Sequence, residues 1–133
     1  FHAQAAARQM IKERHGGRII NIASVDAIVP AGGLAHYDAS KGALVMLTKS
    51  LAKEWGTHGI TVNAIAPGGV DTSGAQEAMA KLGTRANEIA ARAVLGRMAQ
   101  PDEIARVVYF LAGGLSDYMT GSLVVVDGGY LLV

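Results

Sequence analysis

The stretch AHYDASKGAL (35–44) places Tyr37 four residues before Lys41. On a helix, residues i and i+4 share one face. A cation held within about 4–6 Å of a phenol favours the phenolate, and burial opposes it. A tyrosine tuned in this way can take the proton of an alcohol or return one to a carbonyl oxygen. The pair alone also fits a plainer reading, a packed tyrosine beside a solvated lysine. Its surroundings decide between the two. Ser24 closes the apolar run RIINIAS (18–24) upstream, and α/β sheets collect their reacting groups at the ends of such strands. NAIAPGGVDT (63–72) runs from Asn63 through an apolar stretch, breaks at Pro67, Gly68 and Gly69, and ends on the Thr72 hydroxyl. YMTGSLVVVDGG (118–129) follows near the C-terminus.

These groups need elements to hold them. Residues 2–14 are rich in helix formers and end in basic residues, which suit a helix C-terminus. RIINIAS is nearly all apolar, as a strand covered on both faces would be. Residues 25–34 form a loop around Pro30, Gly32 and Gly33. Residues 35–56 form a long helix, with Leu44, Leu47 and Leu51, together with Ala43 and Trp55, repeating at helical spacing. Residues 60–67 form a second buried strand. Residues 74–95 are alanine-rich and weakly helical, interrupted at Gly83. Residues 100–112 start with Pro101 and two acids and stop at Gly113, so both ends carry helix signals. Residues 122–129 supply a third apolar strand. The alternation predicts an α/β fold with parallel strands and right-handed crossovers.

Composition narrows the function. The 133 residues fit one domain, half of them are apolar, and the net charge is +1. With no basic run and one tryptophan, nucleic acid is not an expected partner. The chain has no cysteine, which rules out disulfides and thiolate metal sites and fits a reducing cytoplasm. The histidines at 2, 15, 36 and 58 lack ligand spacing, so no metal is expected. No apolar run approaches the roughly 18 residues of a membrane span.

Together, NIAS (21–24), YDASK (37–41), N-A-x-A-P-G-x-x-x-T from Asn63 and T-G-x-x-x-x-V-D-G-G from Thr120 resemble the short-chain dehydrogenase/reductase family. The resemblance runs from Phe1 to about Tyr130. It implies a Rossmann-like doubly wound sheet, NAD or NADP as cofactor, and interconversion of a secondary alcohol and a ketone. Tyr37 would be the catalytic acid/base. Lys41 would tune it and bind the nicotinamide ribose. Ser24 would hold the substrate oxygen. Pro67 and Gly68 would line the nicotinamide pocket. The Val70 backbone would meet the carboxamide, and the Thr72 hydroxyl the carboxamide or pyrophosphate. Asn63 matches a structural asparagine that pins a strand end.

The chain also departs from the family pattern. It has neither the T-G-x-x-x-G-x-G turn nor the N-N-A-G stretch. The family's catalytic asparagine and the residue choosing NAD or NADP would both lie upstream of Phe1. The chain therefore looks like the C-terminal half of such an enzyme, the last three strands of seven. The other half is expected as an upstream segment or a partner. Residues 73–95 occupy the position of the family's substrate loop, either as a lid or as a plain pair of surface helices. Asp26 and His36 flank the expected site, either as hydrogen-bond partners for a polyol or sugar substrate or as plain solvated loop groups. The family also implies a homotetramer, with residues 130–133 buried against another subunit. The alternative function is a non-catalytic assembly module that keeps the fold.

Overall fold

The computed structural model describes residues 1–132, and Val133 lies outside the described residues. In order, the main elements are α1 (His2–Glu13), β1 (Gly17–Ile22), α2 (Ala35–Trp55) and β2 (Ile60–Pro67), then α3 (Ser73–Leu82), α4 (Ala86–Ala90), α5 (Pro101–Ala112) and β3 (Leu123–Val126). The three strands form one parallel sheet in the order β1-β2-β3. Ile20 lies opposite Asn63, and Ala64 opposite Leu123. Parallel neighbours need long crossovers. α2 supplies one, and the α3–α5 segment the other.

Helices cover both faces. On one side Ala7 of α1 and Ala52 of α2 pack on Ile60 and Val62, with Met10, Leu51 and Trp55 around them. On the other, Ile104 and Leu111 of α5 pack on Ile65, with Ile20, Val107 and Val124. Alternate residues of β2 thus point to opposite faces, and every β2 residue except Thr61 is buried. This is the parallel α/β arrangement that the alternating elements predict, in the Rossmann-like form that the resemblance implies. No helix among the described residues is long and apolar enough to cross a membrane.

Three details differ from the sequence reading. The first is the strand expected over 18–24 and covered on both faces. β1 instead ends at Ile22, and none of its residues is fully buried. The Ser24 hydroxyl accepts from the Asp26 N–H at 3.1 Å and opens a 3-10 turn over Val25–Ala27. β1 pairs only with β2 among the described residues, and this leaves its other edge open and Ile22 44% exposed.

The second is the strand expected over 122–129, which is only Leu123–Val126. The Asp127 carboxylate accepts from the N–H groups of Gly129 at 2.8 Å and Leu131 at 2.9 Å. Gly128 and Gly129 adopt φ of 61° and 85° to make that turn, a conformation glycine takes without steric cost.

The third is the inward face of α2. Ala43 and Leu47 are exposed, whereas Thr48 and Ala52 are buried. Thr48 explains the rotation. Its hydroxyl donates to the Leu44 carbonyl and accepts from the Asn21 side chain at 2.9 Å, tying α2 to β1.

Asn63 pins a strand end as expected. It is 1% exposed. Its Nδ2 donates to the Met119 carbonyl at 2.8 Å, and its Oδ1 accepts from the Ser122 N–H at 3.1 Å. The loop entering β3 is thereby clamped to β2. Asn63→Ala would leave both backbone groups without partners, at about 1–3 kcal/mol each. We expect the full-length protein to lose about 2–6 kcal/mol of unfolding free energy in chemical denaturation. An unchanged denaturation midpoint would remove Asn63 from this role.

Candidate active site

Ser24, Tyr37 and the turn after β2 face one cleft of about 680 Å³. Ser24 is 7% exposed and sits just past the C-terminal end of β1. Tyr37 is in the first turn of α2, with 37% of its surface exposed. Gly68, Gly69 and Val70 follow the C-terminal end of β2. Ligands of open α/β sheets bind beyond these strand ends.

Lys41 lies one helical turn after Tyr37. Its Nζ donates to the Ile22 carbonyl at 2.9 Å and stands 5.4 Å from the centre of the Tyr37 ring. Ile22 is the last residue of β1, so a strand end anchors the ammonium beside the phenol. The plainer reading of this pair, a lysine free in solvent, does not describe this contact.

The turn after β2 is tightly set. Pro67 is buried and lies opposite Val126, and the Gly68 N–H donates to the Val126 carbonyl at 3.1 Å. A Cβ on Gly68 would lie 2.9 Å from the Asp127 Cα and 3.0 Å from its carbonyl oxygen. Only glycine lets the ends of β2 and β3 converge there without a backbone shift. Val70 forms an isolated parallel bridge with Ala99. The Thr72 hydroxyl caps α3, accepting from the Ala75 N–H at 3.1 Å.

Of the residues picked from sequence, Ser24, Asp26, His36, Tyr37, Gly68 and Val70 line the cleft. Lys41, Pro67 and Thr72 are not among its lining residues. Burial pushes the Asp26 carboxyl above the 3.8 of a free aspartate. The Asp38 charge adds to that rise, while the Ser24 hydroxyl and the Arg92 charge oppose it. The 73–95 segment forms α3 and α4, and Ala75, Met79 and Ile89 from it border the cleft.

Arg92 and Tyr130 also line the cleft, and the sequence reading missed both. Arg92 Nη1 donates to the Tyr130 hydroxyl at 2.7 Å. No local pattern announces a contact between residues so far apart in the chain. The one available signal was the turn chemistry of Asp127–Gly129, which sets where Tyr130 goes.

A family model described as enoyl-(acyl carrier protein) reductase matches residues 1–131. The chain belongs to the short-chain dehydrogenase/reductase family. A 2-dehydro-3-deoxy-D-gluconate 5-dehydrogenase of Dickeya dadantii is 44% identical over 131 residues, covering 98% of this chain and 51% of the relative. A 3-oxoacyl-acyl-carrier-protein reductase of Thermotoga maritima is 40% identical, covering 97% of this chain and 51% of its own. Among solved structures, a putative 2-deoxy-D-gluconate 3-dehydrogenase of Agrobacterium tumefaciens with bound NADP superposes with a TM-score of 0.90 at 36% identity. That match covers 98% of this chain and 53% of the other. The chain thus spans about half the length of the short-chain dehydrogenases and reductases it matches.

Proposed function

We propose that the full-length protein is an NAD(P)-dependent oxidoreductase that interconverts a secondary alcohol and a ketone. The observation that carries this reading is Lys41, anchored on the Ile22 carbonyl beside the Tyr37 ring, with Ser24 in the same cleft. The nicotinamide, when bound, accepts or delivers the hydride. In oxidation, Tyr37 takes the hydroxyl proton as hydride leaves the carbon. In reduction, it returns the proton to the carbonyl oxygen. The Ser24 hydroxyl holds that oxygen and steadies its developing charge. Lys41, held beside the Tyr37 ring by the Ile22 carbonyl, would hold the nicotinamide ribose. Gly68 and Val70 would wall the nicotinamide, with buried Pro67 leading into their turn, and Thr72, by starting α3, orients the segment beside it.

The relatives are named for a sugar acid and for an acyl carrier, and both are oxygenated substrates. Asp26 and His36 favour a hydroxyl-bearing one. Residues 73–95 are proposed as the substrate loop. A cytoplasmic homotetramer, with an N-terminal half supplying most of the adenine and pyrophosphate site, completes the proposal. The second reading is a non-catalytic module of the same fold, and the open edge of β1 favours it, since such an edge can serve assembly.

Lys41→Met separates these readings. It keeps the aliphatic stem and deletes the charge. NAD(P) affinity is expected to weaken as the ribose contact goes, and turnover to fall, whereas the non-catalytic module has no turnover to lose. Unchanged cofactor affinity and turnover would exclude Lys41 from the site.

A further inference from the structure

We infer that Arg92 anchors the substrate by a carboxylate, so that the cleft takes a polyhydroxy acid and not a neutral polyol. The inference rests on the oxidoreductase reading above and deepens it. Arg92 follows α4, and its guanidinium lies against Tyr130, with Cζ 5.8 Å from the ring centre. Both residues are held by backbone as well as by each other. The Leu95 N–H donates to the Gly128 carbonyl at 3.0 Å, which fastens the Arg92 turn to the turn that carries Tyr130. The Asp127 carboxylate fixes that second turn through the Gly129 and Leu131 N–H groups. A cation braced in this way loses little freedom when it binds.

Its remaining donors have work to do. A guanidinium carries five N–H groups in a planar fork that matches a carboxylate. Tyr130 takes one of them. Among the described residues, no carboxylate forms an ion pair with Arg92. Two acids share the cleft with it. Glu88 is engaged in capping α4, accepting from the Arg85 N–H at 3.3 Å. Asp26 feels the Arg92 charge without bonding to it. Neither acid bonds the fork, so it can pair with an anion that enters the cleft. Asp26 and His36 then suit the hydroxyls between that anion and the carbon that reacts at Tyr37 and Ser24. A pocket of this volume falls within the range for small ligands.

The test uses the full-length protein loaded with NAD(P)⁺. The probes are D-gluconate and D-glucitol, which share a carbon chain and differ in the terminal carboxylate. Calorimetric titration gives both affinities, and steady-state kinetics gives kcat/KM for any probe that is oxidised. The wild type is expected to favour gluconate. Arg92→Gln should reduce the gluconate-to-glucitol ratio about 10–100-fold, the size of a lost charged hydrogen bond. Arg92→Lys should restore part of it. Tyr130→Phe removes the hydroxyl that Arg92 bonds but keeps the ring, and should reduce the ratio by a smaller factor. Equal loss with both probes, or a ratio that Arg92→Gln leaves alone, overturns the inference, because Arg92 would then only brace Tyr130. A wild type that binds the two probes equally also overturns it. Selective gluconate binding through Arg92 without hydride transfer would support the anion site and count against the oxidoreductase reading, so the two failures are distinguishable.

Discussion

Replacing Tyr37 with phenylalanine in the full-length protein is expected to lower turnover by at least about 10²–10⁴-fold, the contribution of a general acid/base group. The substitution keeps the ring and its packing at the start of α2 and removes only the oxygen. Stability should therefore change little, because the 37% exposed ring has no core position to vacate. Lys41 would still reach the Ile22 carbonyl, so cofactor affinity should fall far less than turnover. Steady-state rates beside a thermal melt separate a chemical loss from a folding loss. Near-normal turnover in the phenylalanine variant would remove Tyr37 from the mechanism and leave the pair with its packing role alone.

The second large effect concerns residues 1–133 prepared on their own. We expect them to associate or to fold loosely, and to show no NAD(P)H binding at micromolar cofactor. The open edge of β1 presents backbone donors and acceptors without a strand beside them, and such an edge templates pairing. Ile22 on that strand is 44% exposed, and on α2 Met46 is 62% and Leu47 47% exposed. Apolar area left in water forgoes roughly 25 cal/mol per Å², against a net stability of about 5–15 kcal/mol for a whole domain. Adding the family's N-terminal half, in cis or in trans, should restore both a cooperative melt and cofactor binding. Sedimentation and fluorescence titration make the comparison. A cooperatively melting monomer of residues 1–133 that binds NAD(P)H tightly would contradict this prediction and the expectation that most of the cofactor site lies elsewhere.

Much of the fold was legible in the chain because its signals are local. The apolar run at 60–67 and the Pro101-Asp102-Glu103 start each name their element without reference to the rest. Glu103 does cap α5, its carboxylate accepting from the Gln100 N–H at 2.8 Å. What was not legible depends on pieces meeting in space. Thr48 turns inward on α2 because Asn21 waits on β1, and periodicity alone preferred Leu47. β3 stops early because Asp127 bonds the turn beyond it, which a run of valines does not show.

The site divides in the same way. Ser24 and Tyr37 were readable from residue type and spacing and the Gly68–Val70 turn from the family resemblance, and one cleft holds them. The anchor of Lys41 was not readable, because it needs the end of β1 to lie under the first turns of α2. Arg92 meets Tyr130 only because the Asp127–Gly129 turn brings the C-terminal segment back to the cleft. In the sequence, Arg92 was one basic residue in an alanine-rich stretch.

The most direct test of the central claim follows the hydride itself. The full-length protein is mixed with 4-deuterated NADPH or NADH and a set of ketones that includes keto derivatives of sugar acids. The product is then analysed by mass spectrometry. The account predicts one deuterium on the new carbinol carbon, from the nicotinamide and not from solvent, and loss of that transfer in Tyr37→Phe. Oxidised cofactor without deuterium in the product, or label acquired from heavy water at that carbon, would contradict it.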